Sequence, residues 1–274
     1  MADVAEAPFK EQVVIITGAS SGIGEALAYQ LADQGARLVL AARSADKLNA
    51  VAGECERRGG KALVVPTDVA DEEQCKRLIE RTVAEYGRVD MLINNAGLAI
   101  RGAFENLPDL TGFKEVMEVN FIGSVHCTYH ALPHLKQSRG RIVAVSSLSG
   151  KAPSPMSIAY GSSKHAMAGF FDSLRIELAG SGVSVTVVYP DFVVTGLVAH
   201  TRRATGEFMG EEAARKFYNA TMMSAEACAR IIVDAAATRK REATTSRRGK
   251  LLGWMRLLAP GLLDTIMRKA FRAK

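Results

Sequence analysis

Cysteine is scarce: Cys55, Cys75, Cys127 and Cys228 are the only four in the chain, widely spaced and with no Cys-x-x-Cys pair. That argues against a disulfide framework and fits reduced thiols in a cytoplasmic protein. Long apolar runs are missing too. No stretch approaches the ~20 consecutive apolar residues needed to cross a bilayer. Met1 to Glu11 is Ala- and Glu-rich without an apolar core, so residues 1–11 are expected to be a flexible lead-in, neither signal peptide nor membrane span. No motif repeats at a fixed period. His126, His130 and His134 recur four apart on one helical run, but no carboxylate or thiol is placed to complete a metal site. No metal is expected, and the three read as a packed or subunit-contact face.

Charge is unevenly placed. The net charge is +6, yet from Arg239 to Lys274 eleven Lys or Arg stand against two acids, a net +9, leaving −3 for the rest of the chain. A basic tail on a mildly acidic body points to an anionic surface or partner for the tail, not to nucleic-acid binding by the whole chain.

At 274 residues and 48% hydrophobic the chain can bury a sizeable core, as one large α/β domain or two small ones. Val13–Ile16 reads as a short buried strand. Thr17-Gly18-Ala19-Ser20-Ser21-Gly22-Ile23-Gly24 follows, then a helical run from Glu25 to Gln34. Strand, glycine-rich turn and helix form a phosphate cradle: the glycines permit the tight turn and the close approach of a pyrophosphate, and the helix N-terminus offers free N–H groups. The second strand, Arg37–Arg43, lacks the terminal acid that would bind the adenosine ribose of NAD. It offers Arg43 instead, which can pair with the 2′-phosphate of NADP. NADP(H) is therefore expected over NAD(H).

Strand and helix then alternate: helix 45–58, strand 61–66, helix 71–86 capped by Asp71, strand 89–93 leading into Asn94-Asn95-Ala96-Gly97. Such alternation predicts a parallel, doubly wound sheet with its ligand at the carboxyl ends of the strands. Asp68 and Asn95 fall at such ends, as adenine-side contacts or as simple turn caps. One helix is predicted over Phe113–Lys136, carrying Asn120, a poor mid-helix residue that marks a local distortion. Strands at 141–147 and 183–189 end at Ser146-Ser147 and Tyr189-Pro190-Asp191. Between them a helix over 157–179 carries Tyr160-Gly161-Ser162-Ser163-Lys164. Residues four apart share a helix face. An ammonium beside a phenol lowers its pKa, which suits proton exchange with a substrate oxygen.

Together these residues resemble the short-chain dehydrogenase/reductase family over about Val13 to Thr195, closest in look to its NADP-dependent carbonyl reductases and hydroxysteroid-type dehydrogenases. The resemblance rests on the glycine turn, Asn94-Asn95-Ala96-Gly97, Asn120, Ser147, Tyr160-x-x-x-Lys164, and Pro190 with Thr195. It implies one Rossmann-type domain with a seven-stranded parallel sheet, and a dimer or tetramer formed through the two long helices. It also implies a tetrad: Tyr160 as acid/base, Lys164 tuning it and holding the nicotinamide ribose, Ser147 bonding the substrate oxygen, Asn120 anchoring a water. Gly18, Ser20, Ser21, Gly22, Ile23, Gly24, Arg43, Asp68, Val69, Asn95, Ala96, Gly97, Pro190, Val193 and Thr195 would form the cofactor site with Tyr160 and Lys164. Asp191 departs from the family's usual glycine and brings a carboxylate near the nicotinamide end.

The expected activity is hydride exchange between NADP(H) and a small carbonyl or alcohol substrate. The rival is a non-enzymatic NADP-sensing protein on the same fold, which would have no need of the tetrad. Residues 12–240 are read as the catalytic domain. A lid at about 191–225, with Phe192, Leu197, Phe208, Met209, Tyr218 and Met222, suits a lipophilic substrate. Residues 241–274 are read as a final strand and basic amphipathic helices. There Leu251, Trp254, Met255 and Leu258, then Leu262, Leu263, Ile266 and Met267, recur at helical spacing. Those stripes either pack on the body or a partner subunit, or lie peripherally in a membrane interface.

Overall fold

The structure, a computed structural model, describes residues 8–198, 200–203, 206–217 and 222–272. The start of the lead-in (1–7) and Tyr218 lie outside these residues. Seven parallel strands form the central sheet: β1 Val13–Thr17, β2 Arg37–Ala42, β3 Lys61–Pro66, β4 Met91–Asn94, β5 Arg141–Val145, β6 Ser184–Tyr189 and β7 Glu242–Thr244. Their order across the sheet is β7-β6-β5-β4-β1-β2-β3. The strands read as unbroken apolar runs because helices cover both faces. Side chains alternate between the two: Val14 and Ile16 enter one core, Val13 and Ile15 the other.

On the first face lie α1 (Gly22–Ala32), α2 (Ala45–Arg57) and α8 (Ala225–Ala237), which contribute Leu27, Leu31, Leu48 and Ile232. On the second lie α3 (Glu72–Tyr86), α5 (Gly123–Ser138) and α6 (Ile158–Glu177), which contribute Leu78, Leu135, Met167 and Phe171. Asp71 caps α3 as predicted, its carboxylate accepting from Gln74 N at 3.1 Å. The short α7 (Gly210–Phe217) lies between Val193–Val194 and Met223–Ser224, two short segments that pair with each other. Two helices end the chain, α9 (Arg247–Leu258) and α10 (Pro260–Arg272). Among the described residues no helix is long and apolar enough to cross a membrane.

One expectation needs correction. The run from Phe113 to Lys136 is not one α-helix: α4 (Thr111–Met117) is followed by a π-helical turn over Glu118–Ile122, and only then by α5. Asn120 sits in the middle of that turn. Its amide bonds the backbone of Leu98 in place of solvent, and its carbonyl accepts from Ser124 Oγ at 2.9 Å. The distortion expected from a mid-helix Asn is therefore a register shift that aims its side chain at the loop leaving β4.

The strand order reverses between β1 and β4. At that switch point the loops leaving β1 and β4 part to opposite faces, and a crevice opens at the carboxyl ends of the strands.

Candidate active site

The crevice is built first from Thr17, the last residue of β1. Its hydroxyl donates to Ile93 O at 3.3 Å and accepts from the amides of Asn95 and Ala96 at 3.0 and 3.1 Å. The Asn95 side chain answers by donating to Thr17 O and Gly18 O at 3.0 and 3.2 Å. Asn95 thus spends its amide tying the β4 loop to the glycine turn, which makes it the holder of the cradle. Gly18 sits at φ +65°, and a Cβ there would lie 2.8 Å from Ala96 Cα. At Gly24 a Cβ would strike the Gly18 carbonyl and lie 2.6 Å from Asn95 Nδ2. Only glycine lets α1 start flush against the turn.

Ser21 precedes α1 with extended backbone and no side-chain cap, which leaves the first amides of the helix facing outward near Ser20 and Gly22. Thr195 lies over Gly22: a Cβ there would be 3.0 Å from Thr195 Cβ. Ile23 and Val193 pack against the first core and support the turn from below. Arg43 is exposed at the end of β2 and has no ion-pair partner among the described residues. Asp68 is half-buried after β3, its carboxylate accepting from Ala70 N at 3.1 Å, and Val69 is buried beneath Gly123. These groups could hold a dinucleotide: open amides for a pyrophosphate, a narrow glycine cradle, and the exposed Arg43 guanidinium beyond β2.

The tetrad residues meet on the other side of the crevice. Ser147 follows β5, its Oγ accepting from Ser149 N at 3.2 Å. Tyr160 and Lys164 share one face of α6, with Nζ 5.8 Å from the phenol ring centroid. Lys164 is 3% exposed and donates to Val145 O at 2.9 Å. Asn120 donates to Leu98 O at 3.0 Å and to Ser163 Oγ at 2.9 Å, while its oxygen accepts from Leu98 N at 2.8 Å. Gly97 forms the floor between them: a Cβ there would lie 3.3 Å from Asn120 Oδ1 and 3.7 Å from Lys164 Nζ.

The electrostatics differ from the expectation. Burial pushes the Tyr160 phenol up, and a hydrogen bond with Ser147 opposes that rise. The Lys164 ammonium donates to the Val145 carbonyl and not to the phenol. Burial lowers Lys164 itself to about 8.

Sequence reasoning also missed several supporting groups. Ser163 accepts from Asn120 and donates to Tyr160 O at 2.8 Å, joining the distorted helix to α6. The buried Asn120 could have prompted a search for such a partner. Asp191 does not project freely at the nicotinamide end. Its Oδ2 accepts from Ser246 Oγ at 2.7 Å, its Oδ1 from Phe192 N at 3.0 Å, and its amide donates to Thr245 Oγ1 at 2.9 Å. Pro190 is fixed beside Ser147, its carbonyl accepting from Leu148 N at 2.9 Å. Of the three helical histidines, His126 bonds Val69 O at 3.2 Å and His130 meets Glu72 at 3.3 Å.

A serine hydroxyl and a phenol side by side can hold a carbonyl oxygen and exchange a proton with it. The chain is also similar to known proteins. The chain is 39% identical over 264 residues to an 11-beta-hydroxysteroid dehydrogenase of Pinus massoniana, covering 95% of this chain and 74% of that one. It is 38% identical over 265 residues to 11-beta-hydroxysteroid dehydrogenase A of Sesamum indicum, covering 96% and 76%. Among solved structures, a short chain dehydrogenase/reductase from Burkholderia phymatum in complex with NAD superposes with a TM-score of 0.83 at 26% identity, covering 93% of this chain and 96% of that one. Residues 12–206 match the short chain dehydrogenase family, and with the fold, the glycine cradle and the Ser147/Tyr160/Lys164 cluster in agreement, the chain belongs to that family of oxidoreductases.

Proposed function

We propose that the protein transfers a hydride between NADP(H) and the carbonyl or secondary alcohol of a lipophilic, steroid-like substrate. The observation that carries this reading is the convergence of Ser147, Tyr160 and Lys164 beside Gly97, at the crevice that the glycine turn closes. The substrate class rests on the names of the plant relatives and on the exposed apolar side chains of the lid, Phe192, Leu197 and Phe208.

The nicotinamide, when bound, supplies or accepts the hydride. The chain's own residues do the rest. Ser147 and Tyr160 donate hydrogen bonds to the substrate oxygen and stabilise charge developing there. Tyr160, kept protonated at neutral pH by burial, gives its proton to that oxygen in reduction and recovers it in oxidation. Lys164 supplies positive charge beneath the crevice and holds the nicotinamide ribose. Asn120 sets the Leu98 backbone and, through Ser163, the start of the catalytic helix, and anchors a water in the proton path. Open amides of α1, with Gly18, Ser20 and Gly22, receive the pyrophosphate.

Cofactor choice rests on Arg43. The solved neighbour holds NAD, but here β2 ends in Ala42-Arg43 with no acid for a free ribose. Replacing Arg43 by Ala removes one charge-assisted contact of ~1.5–3 kcal/mol. Affinity for NADPH is expected to fall about tenfold or more while that for NADH changes little, read by titration calorimetry. Equal loss for both would assign Arg43 to structure.

All four cysteines are free and buried, which suits the reducing cytoplasm. The exposed side chains Tyr129 on α5 and Ile176 on α6 support a homodimer or homotetramer through those helices. The reading is tested with a panel of ketosteroids and simpler ketones, offered with NADPH and NADH and followed at the nicotinamide absorbance. Turnover confined to NADPH and bulky lipophilic ketones is expected. Turnover of none of them would remove the proposal.

A further inference from the structure

The two C-terminal helices lie beyond the span matched by the family. The inner face of α9 is fixed to the body. Gly249 lies so near Leu148 that a Cβ would be 2.5 Å from Leu148 Cδ2, and Leu252 packs on the second core. Arg256 donates to Lys151 O at 3.1 Å and meets His165 Nε2 at 2.6 Å. The start of α9 is held by Asp191 through Ser246, and Arg248 sits 6.0 Å from the Phe192 ring centroid.

The outer face is different. Helical spacing puts Arg247, Lys250, Leu251, Trp254, Leu257 and Leu258 on one side of α9, opposite Gly249, Leu252 and Arg256. Every one of them is exposed, with Trp254 at 63%, Leu257 at 74% and Leu258 at 78%. The pattern continues on α10, which buries Leu263 and turns Leu262, Ile266 and Lys269 outward. A contiguous apolar patch of this kind on a chain's surface marks a docking face.

We propose that the outer face of α9 and α10 docks on an anionic lipid surface. The charge decides between this occupant and a second copy of the chain. Arg247, Lys250, Arg268 and Lys269, all exposed, stand against a single acid over residues 247–272, Asp264. Pairing the face with its own copy would set like charges together, whereas acidic headgroups complement them at ~1 kcal/mol per basic residue. Each helix is about 20 Å long, too short to cross the ~30 Å hydrocarbon layer and suited to lying in its interface. Tryptophan between cations and leucines matches the headgroup boundary. Because α9 begins at the Asp191 loop, docking also brings the mouth of the crevice, with Phe192, next to the lipid. The binding itself does not depend on the proposed activity.

Trp254 is the only tryptophan in the chain, so its fluorescence reports on this face alone. The full-length protein is to be mixed with vesicles of phosphatidylcholine containing phosphatidylserine, and with vesicles of phosphatidylcholine only. Expected are a blue shift and co-sedimentation with the anionic vesicles, both weakened by raised salt. Replacing exposed Arg268 and Lys269 by Gln should weaken binding by about tenfold or more. Trp254→Glu with Leu257→Glu should abolish co-sedimentation and leave cofactor binding and oligomeric state unchanged. Two results would overturn the proposal: no response of wild-type Trp254 to anionic vesicles, or a change of the double Glu variant from oligomer to monomer in light scattering. The latter would assign the face to a second copy.

Discussion

Tyr160→Phe is expected to lower turnover by at least ~10²-fold, the usual contribution of a positioned general acid, while NADPH affinity stays close to wild type. The ring packs in a small cluster with Ile100, Val116 and Ala159, and phenylalanine preserves that packing, so the fold should be unaffected. The same geometry sets the pH dependence. Burial raises the Tyr160 phenol, so it stays protonated through neutral pH and loses its proton only in alkali. Reduction should therefore be flat across neutral pH and decline on the alkaline side, whereas oxidation, which needs the phenolate as base, should rise there. Steady-state rates in both directions across pH, for wild type and Tyr160→Phe, test both statements. A variant that turns over at near wild-type rate would end the assigned role.

Lys164→Met is expected to abolish turnover without loss of stability at neutral pH. The side chain is almost fully buried, and its pKa falls from 10.5 to about 8. Burial thus penalises the ammonium, which remains the main form at pH 7, and holding it there costs about 3 kcal/mol. A lowered pKa of a base makes wild-type stability rise as pH climbs from about 8 to 10.5, because there the unfolded chain binds more protons. Methionine removes that cost but leaves Val145 O without its 2.9 Å partner, a loss of ~1–3 kcal/mol. At neutral pH the two terms nearly offset, so the variant should match or exceed wild type. Its standing relative to wild type should then worsen by about 3 kcal/mol between pH 7 and 10.5. Denaturant melts of both proteins at several pH values measure this. A difference independent of pH would mean that Lys164 is not held charged in an apolar site.

The sheet was legible because its strands are short apolar runs punctuated by glycine turns, and burial on both faces leaves no other reading for Val13–Ile16 or Met91–Ile93. The cradle was legible for the same reason, since glycine at 18, 22 and 24 is costly in any other setting. Asn120 announced a distortion but not its form, because a π turn depends on which backbone atoms lie opposite, here those of Leu98. The direction of the Tyr160 shift was missed because spacing on a helix sets which residues share a face, not where an ammonium finds its hydrogen bond. In the tail, Leu251 and Leu252 have equal hydrophobicity, and only packing on the second core decides that Leu252 turns inward. Asp191 looked like a free carboxylate since its partners, Thr245 and Ser246, lie more than fifty residues away.

The central claim is that this crevice moves a hydride onto a carbonyl carbon while Tyr160 supplies the proton. It is tested most directly by single turnover of a ketosteroid with NADPH deuterated at the donating nicotinamide carbon, analysed by mass spectrometry. The account predicts one deuterium on the carbinol carbon of the alcohol formed by wild type, and almost none formed by Tyr160→Phe in the same time. An alcohol without deuterium, or equal labelling by the two proteins, would contradict it.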